Sequence, residues 1–434
     1  MRSVSDRLSD VPPARTFAPS PRSPLEKPVI LPAVDVLRGI TILWVTLFHL
    51  YVDTRGIPRA EATAGACLSA LQSGQVARAF ASAANALAGS PSFRVDLFLF
   101  VTGLVLMLSP RSTASAFLSR RMRAVLPSYW LGSLLVLAVI AVLAGIRVAI
   151  VGNGFVAEMQ RGSILAGARY LLEPLDILRS FSIVGRFQNQ RTIQVVAPSM
   201  WYVVLVLQAY CMFPTLRAFL ERLGSLRFFL VMIAVTWLGR WLVFRYAFFP
   251  SFEPNATVIY FIPFRLLPLA AGMVASGWAA AFRVVPRRSV ALGLAAPAMA
   301  VVLAALWASG DVNAPGTVLG VIGPIALLLP ALPGLWILAA AASTVPSLRR
   351  VLVWTGRHSI SILVVQDPLR FAVGTVLALG LKLAAWTWWL APAYLTASLL
   401  LARAWSPVPA WITERMWPMA PAGPRRTVRD DVGE

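Results

Sequence analysis

Charge is scarce in this chain. Only 13% of its 434 residues are Asp, Glu, Lys or Arg, while 58% are hydrophobic. With a mean hydropathy of +0.73, this excludes an ordinary soluble domain, in which about a quarter of residues are charged. Cysteine is nearly absent. Cys67 and Cys211 are the only two, the first in a predicted outside loop and the second within an apolar run. That placement excludes a disulfide framework and offers no cysteine spacing for a metal, so no metal is expected. Histidine is equally rare, with His49 and His358 alone. Acidic residues number 18 against 39 basic ones, which leaves a formal charge of +21.

A surplus of that size would suit nucleic acid if the cations clustered on one face. They do not. Arginines recur at alternate loops: Arg111, Arg120, Arg121 and Arg123; Arg217, Arg222 and Arg227; Arg283, Arg287 and Arg288; Arg349 and Arg350; Arg415, Arg425, Arg426 and Arg429. Alternation of this kind is the positive-inside pattern of a membrane protein. The partners it predicts are membrane lipids, not nucleic acid. With the basic amino-terminal tail it places both termini in the cytoplasm, as an even number of spans requires.

What the chain does have is repeated apolar runs, each near the length that crosses a hydrocarbon core. Ten are read, at about 33–52, 95–110, 129–150, 200–220, 225–247, 257–280, 289–308, 317–343, 355–379 and 384–405. The predicted fold is therefore all-α, a polytopic bundle of about ten transmembrane helices. Residues 1–30 are rich in Pro, Ser and Arg, with no apolar stretch before residue 29. They read as a disordered basic cytoplasmic tail rather than a cleaved signal. Residues 31–405 form the membrane domain, and 406–434 read as a second cytoplasmic tail. Two outside segments are long, 53–94 and 151–199. The first carries Ala-rich stretches such as 76–81, suited to short helices lying on the membrane. The second mixes apolar residues between Ile164 and Leu178 with Arg169, Glu173, Asp176 and Arg179, and is expected to form a helix or two capping the outer face. No internal repeat is visible, and no soluble catalytic domain is seen at either end.

The first apolar run carries an arginine and a histidine. Asp35-Val36-Leu37-Arg38-Gly39 runs on to Phe48-His49. Eleven helical residues rise about 16 Å over roughly three turns, so Arg38 and His49 share one face at different depths. A charged group inside a bilayer costs on the order of 3 kcal/mol on insertion scales, so such groups usually serve a site. The imidazole of His49 is available in its neutral form near neutral pH, either as a general base or as a nucleophile. It also suits a structural hydrogen bond to a neighbouring helix. Arg38 suits a phosphate or a polarised carbonyl, and equally a snorkelling anchor at a helix end.

Several segments together resemble the acyltransferase-3 family of membrane acyltransferases. That family opens with an acidic-x-Leu-Arg-Gly stretch leading to a His eleven positions after the Arg, matched by Asp35, Leu37, Arg38, Gly39 and His49. Val95-Asp96-Leu97-Phe98 leading to Thr102-Gly103 is similar to its second span. An arginine-rich loop ending in Pro-x-Tyr-Trp follows, resembled by Phe117, Arg120, Arg121, Arg123, Pro127, Tyr129 and Trp130. Trp201, Gln208, Tyr210 and Pro214 are similar to the fourth span, and Gly356-Arg357, Ser359, Ser361 and Pro368 to the penultimate one. Two places depart from the pattern. Val206 and Leu207 stand where the family often has acids before the Gln, and Gln366-Asp367 stand where it often has a His before the Pro.

The resemblance implies an acyl-CoA-dependent enzyme that moves an acyl group, most often acetyl, to a hydroxyl of an extracytoplasmic glycan or glycolipid. It implies a multi-pass protein of a bacterial cytoplasmic membrane. On that reading His49 is catalytic with Arg38, and Asp96 is the remaining carboxylate to orient the imidazole. A plain anion at a helix amino terminus explains Asp96 equally well. Arg38, Arg120, Arg121, Arg123 and Tyr129 would hold the donor, with the arginines on its phosphates, although topology alone accounts for basic residues there. Trp201, Gln208 and Arg265 would serve the acceptor. Asp367 and Arg370, three residues apart, can satisfy each other within one helix. Homo-oligomers and glycan-assembly proteins are the further partners compatible with this reading. Two alternatives stay open. One is a transporter or exporter of a glycan or lipid-linked substrate, which Arg240, Arg265 and Asp367 would also suit, though no repeated halves are seen. The other is a catalytically inactive scaffold, given the missing acids beside Gln208.

Overall fold

The computed structural model describes residues 30–55, 69–70, 72–75, 91–159, 173–186, 188–189, 191–192, 196, 198–246, 257, 260–279, 339, 342–378 and 390–416. Among these residues every regular element is helical. In chain order they are α1 (Ile30–Arg55), α2 (Pro91–Leu108), α3 (Ala114–Val151), α4 (Pro174–Phe181), α5 (Ile183–Arg186), α6 (Trp201–Tyr246), α7 (Leu266–Ala279), α8 (Pro346–Arg357), α9 (Ser359–Ala378), α10 (Leu390–Trp405) and α11 (Pro407–Met416). Short 3-10 turns at Pro198–Met200 and Ile262–Arg265 lead into α6 and α7. Within the described residues α3 and α6 are long and apolar enough to cross a membrane, and Val95–Leu108 and Ile262–Gly277 are shorter apolar helices. The expected spans 289–308, most of 317–343 and the start of 384–405 lie outside the described residues, as do Cys67 and the Ala-rich stretch at 76–81.

The arginine-rich stretch expected as a loop is helix instead. It forms about the first four turns of α3, because Ala, Leu, Met and Arg favour helix and Thr113 caps it, accepting a hydrogen bond from the Ala116 amide at 3.4 Å. At 38 residues, α3 is about 57 Å long, nearly twice a hydrocarbon core. Its basic end projects past the apolar stretch. There Arg111 and Arg217 both reach Glu221, at 3.0 and 3.2 Å. Slight burial raises the Glu221 carboxyl's pKa, but the two guanidiniums outweigh it and hold the group below its ordinary value.

The expected pair of spans at 200–220 and 225–247 is one 46-residue stretch broken at Gly224. Its φ of 74° and ψ of 165° fall in a region open essentially to glycine alone. The ninth expected span, 355–379, is α9 preceded by the last residues of α8, with His358 between them capping α8 by donating its amide to the Trp354 carbonyl at 3.0 Å.

Helix α1 packs against α8, α9, α2 and α10, α2 against α7, α3 against α9, and α6 against α7. Two of these crossings are close because glycines meet there. A Cβ on Gly39 would overlap the Leu352 carbonyl, and one on Gly356 the Asp35 carbonyl. Gly103 and Gly272 do the same for α2 and α7, against the Leu269 and Phe100 carbonyls. Small residues are how membrane helices bring their backbones together. The Leu-Arg-Gly, Thr-Gly and Gly-Arg motifs thus supply packing as well as polar groups.

The segment expected to cap the outer face forms two helices, α4 and α5, but does not lie over the end of α3. It docks against Tyr129 and Trp130, and Tyr129 stands 22 residues before Val151, about 33 Å along the helix. Backbone carbonyls buried against a helix need hydrogen-bond donors, and here they have them. Tyr129 donates its hydroxyl to the Ser180 carbonyl, Trp130 its indole N–H to Phe181 at 3.0 Å, and Thr192 its hydroxyl to Arg186 at 2.9 Å.

Candidate active site

Five helices converge on one cleft, lined by a few polar side chains among apolar ones. Arg38 of α1 and Arg121 of α3 line it together with Thr102, Tyr202, Tyr210 and Ser359. Arg38 donates to the Ser359 hydroxyl at 3.3 Å and lies 3.7 Å from Asp35. Asp35 is also held by Arg357 at 3.1 Å, which ties α1 to α8. Arg121 donates to Ser109 at 2.7 Å, and its guanidinium stands 5.6 Å from the rings of Phe117 and Tyr210. Two half-buried cations from different helices, 83 residues apart in the chain, therefore share one concave space. Arg120 and Arg123 are exposed on the outer faces of α3, and Arg120 donates to Ser112 at 2.7 Å. Neither lines the cavity.

Ile42, Phe98 and Val203 are among the apolar residues of the lining, with Phe98 edge-on to Tyr202 at 4.5 Å. His49 lies seven residues beyond Ile42, about 10 Å further along α1. Its half-buried ring faces the protein, with Nδ1 3.4 Å from the Ser199 hydroxyl. Ser199 sits in the 3-10 turn that leads into α6 and is gripped by α9. Its hydroxyl donates to Asp367 Oδ1 at 2.6 Å, its amide donates to Asp367 Oδ2 at 3.1 Å, and Arg370 donates to its oxygen at 3.0 Å. The expected Asp367–Arg370 pair forms, at 3.1 Å, and it does so around a serine that nothing in the sequence singled out. The only signal was a polar residue just before an apolar run.

Besides Arg120, Arg123 and His49, five residues expected at the site lie outside the cavity lining. Asp96 does not orient His49. It is fully buried and pairs with Arg265 at 2.6 Å, because a carboxylate on α2 and a guanidinium at the end of the 3-10 turn leading into α7 are each cheaper to bury together than alone. For the same reason Arg265, expected on the acceptor, is fully buried in that pair, with Arg240 nearby donating to the Phe264 carbonyl at 2.9 Å. Gln208 clamps backbone, donating to the Tyr260 carbonyl at 2.9 Å and accepting from the Ile262 amide at 3.1 Å. Tyr129, expected on the donor, is fully buried under α4 and α5, where Arg186 donates to its hydroxyl at 2.9 Å. Trp201, the third acceptor residue, packs edge-on against Tyr260 at 5.2 Å. Among the described residues no cluster of His, Cys, Asp and Glu is arranged to hold a metal.

Among the described residues, an all-helical bundle with apolar helices long enough to cross a membrane and a cleft between five of its helices is the architecture of an integral membrane protein. The chain belongs to the acyltransferase-3 family, whose acyltransferase domain matches residues 31–404. No curated protein and no solved structure matches it. Membership makes the chain a membrane acyltransferase in general terms.

Proposed function

We propose that this protein transfers an acyl group, acetyl in the simplest case, from acyl-CoA to a hydroxyl of an extracytoplasmic polysaccharide or related glycan across a bacterial cytoplasmic membrane. The observation that carries the reading is the convergence of Arg38 and Arg121 on one cavity, with His49 further along the same helix as Arg38. A guanidinium pair suits the phosphates of a CoA donor. Tyr202 and Tyr210 suit its adenine or its amide-rich arm. The thin, flexible thioester arm then reaches past Ile42, Phe98 and Val203 toward the imidazole.

In the transfer, His49 takes the proton of the acceptor hydroxyl as its oxygen attacks the thioester carbonyl. The carbon–sulfur bond breaks, the acyl group stays on the acceptor oxygen, and the CoA thiolate leaves with a proton returned from the imidazolium. An acyl-imidazole formed first and then attacked by the acceptor gives the same overall balance.

The test is transfer of labelled acetyl from acetyl-CoA to glycan in membranes, with mass spectrometry of the surface polysaccharide. His49→Ala abolishes transfer at matched expression. Arg38→Ala and Arg121→Ala raise the KM for acyl-CoA by about tenfold each, the loss of roughly 1.4 kcal/mol of binding per charged contact. Normal glycan acylation in the His49→Ala strain overturns the proposal.

A further inference from the structure

Ser199 is in contact with the proposed catalytic ring, yet no motif contains it. Its bonds can be counted. A serine hydroxyl has one hydrogen to give and two lone pairs to accept with. The hydrogen is committed to Asp367 Oδ1, the shortest of its contacts at 2.6 Å. One lone pair receives Arg370 Nη1 at 3.0 Å. The remaining partner, at 3.4 Å, is His49 Nδ1. With its proton spent, the hydroxyl can only accept from the ring, so Nδ1 must carry the hydrogen. Nε2 is then left with its lone pair.

We propose that Ser199 is a positioning residue that fixes His49 in the Nδ1–H tautomer, making Nε2 the basic nitrogen. Asp367 sets the direction of the serine hydrogen, and Arg370 fills the other acceptor site, so the three residues act on the ring as a unit. Position 367 is one of the two places where this chain departs from the family pattern, with Gln366-Asp367 in place of the histidine often found before the proline. The carboxylate there reaches the ring through Ser199, which the turn before α6 contributes. The role rests on the acyl-transfer reading, because a fixed tautomer matters only if the ring moves protons.

Two measurements separate that reading from this assignment. The first needs no activity. The chain holds two histidines, so protein purified without a histidine tag and labelled with ¹⁵N at histidine gives two imidazole signal sets, and the set surviving in His358→Asn is that of His49. At a pH where the ring is neutral, the expected shifts show hydrogen on Nδ1 and a bare Nε2. In Ser199→Ala the hydrogen moves to Nε2, the form a free imidazole prefers. Hydrogen on Nε2 in the wild type, or on Nδ1 in Ser199→Ala, overturns the assignment. Should Ser199→Ala fail to fold, the wild-type spectrum alone still decides.

The second is kinetic. Ser199→Ala lowers kcat by about 10²-fold with the KM for acyl-CoA within about twofold, and Ser199→Thr, which keeps the hydroxyl, restores most of the rate. Full kcat in Ser199→Ala overturns the positioning role even where the tautomer shifts. Acyl transfer surviving in His49→Ala sinks the catalytic reading instead, and leaves the tautomer result standing.

Discussion

Asp96 and Arg265 show what a single buried pair does here. Both side chains are fully buried and bond at 2.6 Å, with Asp96 Oδ2 and Arg265 Nη2 having no hydrogen-bond partner among the described residues. Removing one member of such a pair strands the other charge, which typically costs about 3–5 kcal/mol. Asp96→Leu and Arg265→Met are each expected to lower the melting temperature of detergent-purified protein steeply. The double variant recovers most of the loss, because an apolar pair of similar volume has no charge to desolvate. If Asp96 instead oriented His49, its substitution would lower kcat at unchanged stability and Arg265→Met would not restore it. The melting curves and the kinetics together tell these apart.

At the scale of an element, the α4–α5 segment is held by few groups. Tyr129 joins its hydroxyl to Ser180 and Arg186, and the Arg186 guanidinium also lies 5.3 Å from the tyrosine ring. Tyr129→Phe removes the hydroxyl that bonds both the Ser180 carbonyl and the Arg186 guanidinium, and their direct contact at 3.4 Å is too long to replace it, a loss of about 1–3 kcal/mol. Expected results are faster protease cleavage within residues 173–192 and an unchanged KM for acyl-CoA, since the cavity is lined by Val125 and Arg121 on α3 and not by Tyr129. A raised KM with normal protease resistance would return Tyr129 to the donor site. The glycine crossings of α1 with α8 and of α2 with α7 have the opposite character. There the contact is backbone on backbone, so no side-chain adjustment relieves an added methyl.

For the whole molecule, the distribution of arginines predicts that the basic end of α3 faces the cytoplasm. The length of that helix separates its two ends by more than a hydrocarbon core. In a background lacking Cys67 and Cys211, Arg123→Cys should react with a membrane-impermeant maleimide only in inside-out vesicles. Val156→Cys, at an exposed position just past the other end, should react only in right-side-out vesicles. Labelling of both from one side would overturn the orientation and with it the assignment of donor and acceptor faces.

Composition and spacing determined a great deal. Low charge, long apolar runs and alternating arginines identify a helical membrane protein, because a bilayer tolerates few other ways of satisfying a backbone. The ordered motifs from Asp35 to Pro368 identify the family, and helical rise alone puts Arg38 and His49 on one face. Arg38 and Arg121, expected on the donor from motif and charge, do meet in one cavity. Only the tertiary structure decided which polar groups are partners. Asp96 was legible as an intramembrane carboxylate, but its choice of Arg265 over His49 depends on α2 lying against α7, and no local spacing encodes that neighbour. Ser199 carries no signal beyond its place just before an apolar run until the packing of α6, α9 and α1 brings it between Asp367 and the imidazole. A hydrogen-bond network is a property of groups distant in the chain and close in space, so the chain can be read for its candidates but only the packed bundle pairs them.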